Sequence, residues 1–154
     1  MSARTPQQQL DAFLDKFSAG VAASARKSLK HLKKRLPGAT EIVYDNYNAL
    51  AIGFGPSEKP SAAIFSIAVY PRWVSLFFLQ GVGLPDPKKL LKGSGTKVRH
   101  IVLNSADDIV SPDVEALVAQ ALRSAKIRID PTQKRRLLIK SVSAKQRPRR
   151  PSPQ

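Results

Sequence analysis

The chain of 154 residues carries 26 Lys or Arg against 11 Asp or Glu, a formal net charge of +15, and it has no cysteine. That length fits one domain, and the missing thiols exclude disulfides, thiolate metal sites and cysteine nucleophiles. No apolar run reaches the roughly 18 residues of a spanning helix and residues 1–10 lack the apolar centre of a secretory signal, so the expectation is a cytoplasmic protein with no membrane partner.

Pro6 suits a first helical turn, and Leu10, Phe13, Leu14 and Phe17 recur at helix spacing. Ser18-Ala19-Gly20 breaks or bends this helix. Val21, Ala25, Leu29, Leu32 and Leu36 then continue the stripe until Pro37-Gly38 stops it, with six Lys or Arg from Arg26 to Arg35 on the polar side. From residue 39 to 104 the pattern becomes β-rich, with strands expected at 41–45, 48–55, 61–70, 72–80 and 97–104. No helical stretch between them is long enough for a parallel crossover, so an antiparallel sheet is predicted. A short helical turn is expected over 85–91.

Ser111-Pro112 is an N-cap followed by an N1 proline, Asp113 and Glu115 lie in the first turn, and Val114, Leu117, Val118, Ala121, Leu122 and Ala125 keep helical spacing to about Lys126. Residues 127–140 read as a partly ordered extension able to form a strand or a short helix. Residues 141–154, rich in Lys, Arg, Pro, Ser and Gln, read as a disordered basic tail. The expected organisation is thus a flexible N-terminus (1–5), one α+β domain (6–126), the extension and the tail, with about five antiparallel strands and terminal helices on one sheet face.

Strand alternation sorts the side chains. Leu50, Ile52, Phe54, Phe65, Ile67, Val69, Val74, Leu76, Phe78, Ile101 and Leu103 form a packed face. The opposite set, including Ala51, Gly53, Ser66, Ala68, Tyr70, Trp73, Ser75, Phe77, His100 and Val102, forms a shallow and open one.

Leu36-Pro37-Gly38-Ala39-Thr40-Glu41, Tyr44-Asp45, Ala68-Val69-Tyr70-Pro71, Leu84-Pro85-Asp86-Pro87, and Gly93-Ser94-Gly95 through Arg99-His100-Ile101 resemble the YdhG-like domain of unknown function. The likeness covers the chain to about residue 125 and leaves the tail out. It implies a frataxin-like order of helix, sheet and helix, and, for one described member, intracellular iron chaperoning. Iron prefers oxygen and imidazole ligands, whereas the helix up to Arg35 is basic and only Glu41 and Asp45 follow it closely, so no metal site is assigned.

The histidines are His31, among lysines, and His100; with no strained nucleophile turn, no catalytic residue and no cofactor are assigned. The chain therefore reads as a non-enzymatic binding module for an anionic small molecule or a protein partner. Its expected ligand residues are Tyr44, Tyr70, Trp73 and His100 in the open face, with Lys92, Gly93, Gly95, Lys97 and Arg99 at its edge. The glycine loop has two readings, an anion-cradling turn or a plain hairpin turn needing positive φ. The open face has likewise three, a ligand groove, a surface covered by the tail, or the interface of a homodimer. The alternative partner is nucleic acid, bound without sequence preference through Arg26, Lys27, Lys30 and Lys34 with Lys134, Arg135 and Arg136.

Overall fold

A computed structural model describes residues 4–151. The ends of the expected flexible N-terminus (1–3) and of the expected tail (152–154) lie outside the described residues.

Thr5 closes a capping box on α1 (Pro6–Asp15): its hydroxyl accepts from the Gln8 amide at 3.1 Å, and the Gln8 side chain accepts from the Thr5 amide at 2.9 Å. Helix α2 (Ala19–Arg35) follows after a break at Ser18 and ends before Gly38, whose φ of +82° no β-carbon would tolerate cheaply. Five antiparallel strands come next, β1 (Thr40–Asp45), β2 (Leu50–Gly55), β3 (Phe65–Val69), β4 (Val74–Phe78) and β5 (Arg99–Leu103). A 3-10 turn over Ala106–Val110 leads to α3 (Pro112–Ser124). The segment 85–91 is not helical. The Asp86 carboxylate accepts from the Leu90 and Leu91 amides, both at 2.9 Å, and fixes an irregular turn between two prolines.

The sheet has a sixth strand, β6 (Arg136–Val142), which lies parallel to β1 with Thr40 opposite Arg136, so the strand order is β5-β4-β3-β2-β1-β6. The expected five-stranded antiparallel sheet is corrected to a mixed, six-stranded open one within an α+β fold of three helices. The reason is long-range: β6 has its complement in β1, almost a hundred residues earlier, and Leu137, Leu138, Ile139 and Val142 supply only four apolar residues of local signal.

The predicted packed face is the buried one. Its eleven residues join Leu10, Leu14, Phe17, Ala25, Leu29 and Leu32 from α1 and its continuation, and Val114, Leu117 and Val118 from α3, in one core, where Phe65 and Phe78 meet edge to face at 5.6 Å. All three helices thus cover one side of the sheet. Glu41, Val43 and Asp45 of β1 also point to that side, because they pair with Phe54, Ile52 and Leu50.

The expected disorder beyond residue 140 is corrected as well. After β6 the chain straps back over the β1–β2 hairpin: the Ser143 amide donates to Asp45 O at 2.8 Å, the Arg147 amide to Tyr47 O at 2.9 Å, and the Gln146 side chain to Asp45 O at 3.1 Å. Arg149 is 5% exposed and pairs with Asp45, 1% exposed, at 2.9 Å. Its guanidinium also donates to the carbonyls of Asn46 and Tyr47 and lies 5.6 Å from the Phe17 ring centre. A low apolar content does not prevent ordering when one arginine replaces hydration with a buried counter-charge and several carbonyls.

Candidate functional site

Strand register places the open-face residues in rows. One row runs Tyr44, Ala51, Ala68, Ser75, Val102 across β1 to β5, and the next Ile42, Gly53, Ser66, Phe77, His100. Lys92 exchanges two backbone hydrogen bonds with His100, at 2.8 and 2.9 Å, and extends the second row to the sheet edge. Tyr70 stacks on Trp73 at 4.6 Å between centroids, and Phe77 on His100 at 5.1 Å. These rings lie against a floor so small that Ser75 and Ala68 are nearly inaccessible, at 1% and 6%. Burial pushes the Tyr70 hydroxyl above its ordinary pKa. The face is a largely self-filled surface whose cations, Lys92 and Arg136, stand at its two edges, whereas an antiparallel face open to water ordinarily alternates to polar residues.

Of the expected ligand residues, Tyr70, Trp73, His100 and Lys92 therefore gather on one surface, with Tyr44 at its far side. Arg99 and Lys97 do not join them. Arg99 pairs with Phe78 and points to the helix side, and its guanidinium is spent on the Gly95 and Val98 carbonyls at 2.7 and 2.8 Å. These bonds pin the 93–98 loop, in which Gly93 has a φ of +127°. Lys97 is directed elsewhere.

Lys97 lines a cleft of about 550 Å3 at the end where β4 leaves the sheet, between the loop over residues 59–64, Gln80, Val82 and the last turn of α3. Lys59 and Lys126 line it too, and among the described residues no carboxylate does. Its walls are mainly apolar, from Ala62, Ala63, Ile64, Ala121 and Ala125, with Ser61, Gln80 and Ser124 as uncharged polar groups, and Val82 and Ile127 are 47% and 54% exposed. Cationic groups at the edge of an apolar cavity with nothing of opposite sign to neutralise them suit an anion with an apolar body. Sequence reasoning named Lys97 alone. Lys59 and Lys126 carry no local signal, because the three lysines converge only through the fold.

The basic side of α2 is largely neutralised. Arg26 pairs with Asp15 at 2.7 Å, Lys27 and His31 with Asp107 at 3.0 and 3.2 Å, Lys33 with Glu41 at 3.5 Å, and Arg35 with Glu115 at 3.6 Å. Hydrogen bonds from Lys27 and then His31 hold the Asp107 carboxyl below the usual carboxylate range. Glu41 is 5% exposed, and burial raises its pKa although the Lys33 ammonium opposes the shift. Lys30 and Lys34 have no acidic partner among the described residues. They share a groove of about 420 Å3 with Glu41 and with Arg135, which the chain returns to α2 and which donates to the Lys33 carbonyl. Arg136 pairs with Glu58 at 3.2 Å on the far side of the sheet.

Iron, which the YdhG-like resemblance implies, does not fit these residues. Glu41 and Asp45 face the helices and are committed to Lys33 and Arg149, and among the described residues no group of three or more His, Asp or Glu gathers around one point. Among those residues no helix is long and apolar enough to cross a membrane. No family model, curated protein or solved structure matches the chain.

Proposed function

We propose that the protein is a non-enzymatic binding module for a small anion that carries an apolar body, held in the cleft of Lys59, Lys97 and Lys126. One observation carries this reading: three lysines line a mainly apolar cavity that, among the described residues, no carboxylate lines. A cavity of that size is within the range of small-molecule sites, where apolar walls supply affinity and a few polar groups supply orientation.

The test uses 1-anilinonaphthalene-8-sulfonate as the anion and N-phenyl-1-naphthylamine, which lacks the sulfonate, as its neutral counterpart. Exposed charge pairs contribute about 0.2–1 kcal/mol each, so the K59Q/K97Q/K126Q variant should bind the sulfonate roughly tenfold more weakly and the amine unchanged. Equal sulfonate binding by the triple variant would remove the proposal. Loss of binding in W73A/H100A would move the site to the open sheet face.

A second reading, nucleic-acid association through α2 and the returning chain, draws support from the placement of Arg135 beside Lys30 and Lys34. It predicts affinity that falls steeply with salt, and a K30Q/K34Q/R135Q variant that binds duplex as the parent does would sink it.

A further inference from the structure

We infer that the outer edge of β6 is a docking edge for an acidic, extended segment of another protein, which joins the sheet as an added strand. The two edges of the sheet differ. Beyond β5 the edge is occupied where Lys92 bonds His100, and Val82 donates to the Lys97 carbonyl at 3.1 Å close by. β6 has β1 on one side only, and among the described residues its backbone makes no hydrogen bond outside that ladder. The strap that follows it turns toward the β1–β2 hairpin and bonds Asp45 and Tyr47, not the strand's free side.

A seven-residue strand with a free row of N–H and C=O groups is a template for another strand. Its charge decides which strand. Of the cations in or beside β6, Arg136 pairs with Glu58 and Arg135 donates to the Lys33 carbonyl, which leaves Lys134, Lys140, Lys145 and Arg147, and residues 134–147 contain no acid. A second copy pairing edge to edge would bring the same sign against itself, so these charges oppose self-association. They attract a segment with carboxylates at both ends. Between the charges Leu137, Leu138 and Ile139 are half-buried and alternate between the two sheet faces, which an apolar centre in the incoming strand would cover. Main-chain bonds then give affinity, and the flanking charges give selectivity and direction.

The test is fluorescence anisotropy with a labelled peptide EEVTVTVEE, its counterpart KKVTVTVKK, and EEVTVTVEE N-methylated at alternate backbone nitrogens. The acidic peptide should bind the parent protein at least tenfold more tightly than either of the others, and a K134E/K140E/K145E variant should reverse the preference between the first two. None of these lysines lines the cleft of the proposed ligand, so the anilinonaphthalene sulfonate titration should be unchanged in that variant. An N-methylated peptide that binds as well as its parent would reduce the interaction to general polyanion attraction and overturn the inference. So would a variant whose preference does not change.

Discussion

Removal of the Arg149 guanidinium should unfold the strap and cost the domain a large part of its stability. Arg149→Ala leaves the Asp45 carboxylate 1% exposed with no cation, and it removes the donors to the Asn46 and Tyr47 carbonyls and the contact over Phe17. Breaking a buried ion pair from one side costs about 3–5 kcal/mol, because the remaining charge stays desolvated. The pair is not bidentate: Asp45 Oδ2 and Arg149 Nε have no partner among the described residues, which places the expected loss nearer the lower figure. In a chain of this size about 3 kcal/mol corresponds to a Tm lowered by roughly 6–12 °C.

Urea unfolding of the parent, R149A, D45N and the D45L/R149M pair measures this directly. The double replacement should regain much of the loss, since apolar groups of similar volume can fill a buried ionic site without a desolvation cost. An R149A unfolding free energy within about 0.5 kcal/mol of the parent's, the range of ordinary surface changes, would refute the claim that the strap is held by this pair.

Three further outcomes follow. Burial raises the Glu41 pKa, so the folded state holds its proton more tightly than the unfolded chain; the resulting stability is present at low pH and is lost as pH rises through the folded value. Glu41→Gln should therefore raise Tm at neutral pH, with the gain vanishing in acid, and a thermal-melt series over pH checks both signs. Gly38→Ala should cost more than about 2 kcal/mol in urea, because the φ of +82° is unfavourable for alanine and its β-carbon would clash with the Asp130 carbonyl oxygen. Lys30→Gln with Lys34→Gln lowers the charge on α2 without touching the cleft, so the anilinonaphthalene sulfonate isotherm should be unaffected; a matching loss would mean that net charge, not the cleft, holds the probe.

The sheet's inside was legible because its signal is local. Period-2 alternation from Leu50 to Leu103 assigns the buried side residue by residue, and the start of α3 is written in Ser111, Pro112, Asp113 and Glu115. β6 and the strap were not legible. Their partners, Thr40 to Asp45 and Tyr47, lie about a hundred residues upstream, and a Pro- and Arg-rich composition describes the unfolded chain without naming the buried carboxylate that orders it. The candidate site divides the same way. Tyr70, Trp73 and His100 share a face by alternation alone, whereas Lys59, Lys97 and Lys126 approach one another only when β3, β4 and α3 have packed. Arg99, next to His100 on β5, faces the other side of the sheet as strand alternation requires, and its charge is absorbed by its own loop.

Net charge locates no site, but the placement of the acids does. Six of the eleven carboxylates, those of Asp15, Glu41, Asp45, Glu58, Asp107 and Glu115, hold cations in ion pairs. Asp86, Asp108 and Asp130 accept backbone N–H groups at turns, and Asp113 lies in the first turn of α3, where the helix dipole favours it. Asp11, which accepts from the Gln7 side chain, is the remaining one. The acids are thus placed where the fold uses them, chiefly around α2 and the two ends of β1, and the basic helix that dominates the sequence is the best neutralised of the cationic surfaces. Beyond Lys30 and Lys34 of α2, an arriving anion meets uncompensated charge at the cleft, where three lysines border mainly apolar walls, and at the β6 edge, where the free backbone of a strand lies between lysines. The first suits a small ligand and the second an extended chain, so the surplus of +15 supports two separable interactions more readily than one diffuse affinity for polyanions.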